Sequence, residues 1–232
     1  MQEAGSQAST TAHPPRADSA TIPAGDARLG TTLVRVAWLA IALGFVMEVL
    51  ALVVALGAGV FGGVAPVVAD LVKQVSWSIF VCGGLALGTV VSKARAPVMG
   101  LLGLVAGPVA FGVARSLHKG TLEAMGAADG ALGVTSATVL ALVKALEYGS
   151  LGALLGWVGT RAWGGLGAHA GAGLVVGAVF GGAILALTYQ AAGGAVPPAR
   201  LLSQGVNEVL FPLGCALVLF TATMLGKRGV VG

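Results

Sequence analysis

The chain has 232 residues, of which 56% are hydrophobic and 9% charged, and its mean hydropathy is +0.94. Soluble domains carry roughly a quarter charged residues, so water cannot be the solvent for most of this surface; the bilayer must be. The formal charge of +4 and the pI near 9.4 do not point to nucleic acid, because the basic residues sit mostly at the ends of apolar runs, where membrane topology needs them.

Residues 1–30 are rich in Ala, Ser, Thr, Pro and Gly and have no apolar period, which is the pattern of a disordered tail. The apolar run that follows starts too late, and is too long, for the core of a signal peptide. A spanning helix needs ~20 mostly apolar residues. The first such run covers about 33–56. Residues 57–66 then read as a turn and re-entry segment. A second span covers about 71–91 and a third about 97–113, with Pro97 at its start and Pro108 placed to kink it. A polar loop, "ARSLHKGTLEAMGAADG", follows. The apolar stretch from 134 to 163 is too long for one straight crossing, so a lead-in at the interface should precede a fourth span over about 140–161. The fifth lies at about 166–187 and the sixth at about 206–225.

These segments define an all-α, polytopic membrane protein: a bundle of six transmembrane helices over 31–228 behind an N-terminal tail. An even number of spans puts both termini on one side. Arg16, Arg28, Arg35, Lys93, Arg95, Arg161, Lys227 and Arg228 share that side with few acids. Lys73, Arg115, Lys119 and Arg200 on the other are diluted by Asp70, Glu123 and Asp129. The positive-inside rule makes the first side cytoplasmic, in a bacterial-type inner membrane.

Two segments resemble one another. "LVKQVSWSIFVCGGLALG" (71–88) and "LVKALEYGSLGALLGWVG" (142–159) share Leu-Val-Lys, an aromatic residue and spaced glycines. "LLSQGVNEVLFPLGCALV" (201–218) is a looser third copy. Each opens an even-numbered span, which suggests three tandem helical hairpins. Two inverted three-helix halves, a common transporter plan, form the rival arrangement.

Glycines recur every fourth residue at Gly84 and Gly88, Gly103 and Gly107, Gly152 and Gly156, and Gly173, Gly177 and Gly181. Such stripes make flat helix faces that let another backbone approach closely. They serve packing within the bundle, or docking of a second copy or another membrane subunit.

The charges inside the spans are the candidate site. At ~1.5 Å per residue, Glu48 lies ~20 Å of helix from Arg35, and Glu147 ~21 Å from Arg161. Both therefore fall at similar depth in the outer half of a core ~30 Å thick, and Lys144 is one turn further out. An unpaired charge there costs at least ~2.5–3.5 kcal/mol. Lys144 and Glu147 share a helix face, and contact between spans one and four would add Glu48 to them. That makes Glu48, Lys144 and Glu147 the expected substrate- or ion-binding group. Lys73, Asn207 and Glu208 open even-numbered spans and form a weaker set, an outer vestibule. Glu208 is ~28 Å of helix from Lys227, which puts it near the outer surface.

Other chemistry lacks its residues. Haem needs facing histidines at membrane depth. His13 is in the tail, His118 in the polar loop and His169 near the cytoplasmic start of span five. Cys82 and Cys215 lie singly in apolar runs and fit packing better than a disulfide framework. Ser150, in "YGSLG", has no base beside it to make a nucleophile. No cofactor, metal site or catalytic residue is expected, and the chain does not read as an enzyme. The sequence points to an integral membrane transporter or channel for a small solute or ion, coupled to protons or cations through intramembrane carboxylates. The alternative is a non-catalytic, membrane-embedded subunit of a larger multi-protein complex.

Overall fold

The computed structural model describes residues 24–89, 94–127 and 136–228, with side chains from 30 to 225. Its elements are six α-helices: α1 (Ala24–Gly57), α2 (Val64–Gly88), α3 (Arg95–Ala124), α4 (Ala137–Val158), α5 (Leu166–Ala191) and α6 (Pro198–Arg228). All six contain a stretch long and apolar enough to cross a membrane. Outward-facing Trp38, Leu101, Val105, Val175 and Val179 are exposed, which in a chain this poor in charge places lipid against them.

The helices are longer than their apolar cores. α1 begins at Ala24, so 24–30 of the expected tail is helical; the rest of the tail lies outside the described residues. Once a spanning helix exists, each added residue gains a hydrogen bond for little extra ordering. The expected re-entry segment shrinks to a tight turn, with Gly59 and Gly63 at positive φ. α2 starts at Val64 and takes Pro66 into its first turn, where a missing N–H costs nothing. The polar stretch after 113 is helix as far as Ala124, forming the last turns of α3, and 128–130 lie outside the described residues. Its exposed face carries a Lys119–Glu123 pair at 3.7 Å, while Leu122 turns inward and is buried. α6 starts at Pro198, about two turns before the expected span, with proline at the first helical position, where it is favoured. α3 and α6 run on through Pro108 and Pro212.

The packing has a three-part plan. α1 packs against α2 and α6, α3 against α2 and α4, and α5 against α4 and α6. The even-numbered helices also touch one another, whereas the odd-numbered ones do not. This is the hairpin arrangement: each hairpin places its second helix inside and its first outside. Inverted halves would give spans one and four equivalent places, whereas α1 lies outside and α4 touches both other even-numbered helices.

Glycines set the same crossing three times. A Cβ on Gly44 would meet Val75 Cα at 2.7 Å and Ser78 Oγ at 2.9 Å. One on Gly103 would overlap the Tyr148 carbonyl, and one on Gly173 would meet the Pro212 carbonyl at 2.6 Å. In each case the first helix of a hairpin lies directly on the backbone of the second. The stripes at Gly84, Gly88, Gly107, Gly152, Gly156, Gly177 and Gly181 also meet neighbours within this chain. The faces considered for docking are thus used internally.

Candidate functional site

The three inner helices converge on aromatic rings. Trp77, Tyr148 and Phe211, one from each, pack edge-on with centroids 5.6, 6.2 and 6.4 Å apart. Trp77 and Tyr148 are the pair that the first two copies of the repeat align. The third copy is displaced: its sequence match sets Asn207 opposite Trp77, but Phe211, one turn later, takes that place. On the side of the rings towards Gly88 and Val158, the interior is apolar and closed by buried Val81, Leu85, Leu151, Leu155 and Leu219. Cys82 and Cys215 meet there as free thiols, with Sγ atoms 3.2 Å apart.

On the other side of the rings is a cavity of about 670 Å³ to which all six helices contribute. It occupies the half of the bundle where odd-numbered helices end and even-numbered ones begin, away from both Ala24 and Arg228. Trp77, Tyr148 and Phe211 stand at its inner end, and exposed Arg115 and Arg200 line its outer part. A smaller hollow of about 390 Å³ between α5 and α6 is lined only by Leu, Val and Gly and offers no side-chain polar group.

Lys144 is the centre of the polar interior. Its Nζ donates to Glu147 Oε2 at 2.8 Å and to Glu208 Oε2. The same ammonium lies 5.3 Å from the centroid of Trp77 and 5.6 Å from that of Tyr148, close enough for attraction to the ring faces. One cation is therefore shared by two carboxylates and two rings. Glu147 is fully buried, and among the described residues its Oε1 and the Tyr148 hydroxyl have no hydrogen-bond partner.

The expected contact of Glu48 with this cluster is not made. α1 and α4 do not touch. Glu48, only 7% exposed, instead lines the same cavity from α1. Glu208 supplies the second carboxylate. It was expected near the outer surface because span six was taken to begin at 206; α6 begins at Pro198, so ~15 Å of helix precedes Glu208. Asn207 accepts a hydrogen bond from Gln74 Nε2 and so ties α6 to α2. Lys73 pairs with Asp70 on its own helix, and His118 Nε2 reaches the same carboxylate at 3.3 Å from α3. Lys73, Asn207 and Glu208 do line the cavity, together with Lys144, whereas Glu147 sits behind it.

Asp70–His118, Gln74 and the two arginines were not among the expected site residues. For His118 and Arg115 the cause is plain: the apolar run of the third span ends near 113, whereas α3 continues to Ala124. Among the described residues, no group of three or more His, Cys, Asp or Glu is placed to hold a metal. No protein family, curated protein or solved structure matches the chain.

Proposed function

We propose that this protein carries a small polar solute across the membrane, with both termini cytoplasmic and the cavity open to the outside. One observation carries the reading: a cavity built from all six helices, lined by charges of both signs, leads inward to a buried ion cluster between membrane-length helices. Buried charges in a membrane domain are expensive and ordinarily mark a transport path. Its volume falls in the ~300–1,000 Å³ range of small-molecule sites. Solute would descend from the rim as far as Trp77, Tyr148 and Phe211.

The three rings favour a carrier over an open channel, because they and the apolar packing beyond them close the inner half. Passage requires the inner helices to part there. The glycine crossings hold the two helices of each hairpin in backbone contact, and Gly88 likewise seats α2 on Met99 of α3, so the first two hairpins would move together. Glu147 and Glu208 share the one ammonium of Lys144, so a proton or a solute cation on Glu208, which lines the cavity, would leave Lys144 to Glu147. That is the coupling role proposed for these carboxylates.

Protein reconstituted into vesicles should take up a solute, or protons, from the cavity side. Glu147→Gln should lower that flux at least tenfold while leaving the folded protein intact by size-exclusion chromatography. Absence of flux for ions, amino acids, sugars and small organic ions, with other chains co-purifying in fixed ratio, would replace this reading with the membrane-subunit one.

A further inference from the structure

Three carboxylates line the cavity, and two are already matched. Asp70 is held by Lys73 and His118, and Glu208 by Lys144. Glu48 is not matched by contact: among the described residues it has neither an ion pair nor a hydrogen bond, although only 7% of it is exposed, and the charges that act on it, Lys73 and Asp70 of α2, do so from beyond ion-pair distance. A carboxylate so placed is costly to ionise until a cation arrives to pair with it. Glu48 faces the space from which a partner would come.

We infer that the cavity binds a small organic molecule through an ammonium group, and that Glu48 receives that group. This deepens the transport reading and rests on it for calling the ligand a transported solute. Hard metal ions are a poor fit, since they require about six oxygen ligands and the described residues offer no cluster of three acidic or His/Cys groups. An ammonium needs few acceptors, and one carboxylate with room around it suffices. The rest of the ligand meets a mixed wall: Trp77, Phe111, Tyr148 and Phe211 line the same space, with Gln74, Asn207 and the cations Lys73, Arg115 and Arg200 around them. The protein already contains an example of this recognition. The Lys144 ammonium lies between two carboxylates and two rings in the same cavity.

The test compares phenethylammonium with its neutral counterpart, 2-phenylethanol, by titration calorimetry on the purified full chain in detergent. The ammonium should bind at least tenfold more tightly than the alcohol. Glu48→Gln, which keeps shape and removes charge, should abolish that difference. Glu123→Gln, on the exposed end of α3, should leave it unchanged. Equal binding of the two compounds, no binding of the ammonium, or a preference that survives Glu48→Gln would overturn the assignment. If Glu48→Gln does not fold, Glu48→Ala takes its place, because the unaltered chain alone does not separate Glu48 from Asp70 and Glu208 in the same cavity. Flux of a non-cationic solute without ammonium binding would sink this proposal and leave transport standing. Ammonium binding without flux would do the reverse.

Discussion

At the scale of residues, the interior turns on one ammonium. Lys144 neutralises at most one of the two carboxylates it touches, and its side chain is 8% exposed. Removing one member of a buried ion pair costs about 3–5 kcal/mol, mostly because the abandoned charge stays buried. Lys144→Met should therefore destabilise the protein by about that much in denaturant titrations in detergent. Adding Glu147→Gln and Glu208→Gln to it should recover most of the loss. A triple variant as unstable as the single one would mean that Lys144 matters by its packing on Trp77 and Tyr148 rather than by charge. The Lys144–Glu147 pair was legible in the sequence because residues three apart share a helix face whatever the fold. Glu208 was not, because its distance along the chain says nothing about which helix it faces.

At the scale of elements, the glycines divide into those that fix a crossing and those that do not. Gly103 lies against the Tyr148 backbone, whereas a Cβ on Gly112 of the same helix would meet nothing within 4 Å. Gly103→Ala should force α3 and α4 apart and cost about 1–3 kcal/mol, the usual penalty of overpacking. Gly112→Ala should be neutral, or stabilising by up to about 1 kcal/mol through lower chain entropy. Thermal unfolding of the two purified variants checks both signs. The four-residue spacing announced flat faces correctly, but spacing cannot say which neighbour fills them. Element ends were the poorest part of the sequence reading. Hydropathy marks where the bilayer core is, whereas α3 and α6 continue for two turns or more beyond their apolar stretches. That continuation brings His118, Arg200 and Gln204 to the cavity.

At the scale of the whole molecule, the three-hairpin plan makes a long-range prediction. Cys82 and Cys215 are far apart in sequence, yet their sulfurs meet because α2 and α6 are neighbours at the centre. Both are fully buried, so an apolar oxidant is needed to reach them. Molecular iodine should join the two thiols, with reduction to iodide. After cleavage at a protease site inserted between α4 and α5, the halves should then stay together on a non-reducing gel. Fragments that separate would place α2 and α6 apart and remove the basis for a central cavity. The same bridge should stop flux if the inner helices must part for solute to pass.

Composition and hydropathy were enough to determine that oil surrounds this chain, that it is helical, and that it crosses six times. Those properties follow from local transfer energies and backbone hydrogen bonding, which each segment satisfies for itself. Tertiary structure alone decided that α1 stays away from α4, that Glu208 and not Glu48 meets Lys144, and that Glu48 is left facing open space. These depend on the order of helices around the bundle and on their axial register. Both are set by backbone contacts at particular glycines on neighbouring helices, and a one-turn shift, as in the third repeat, puts Phe211 where the sequence match puts Asn207.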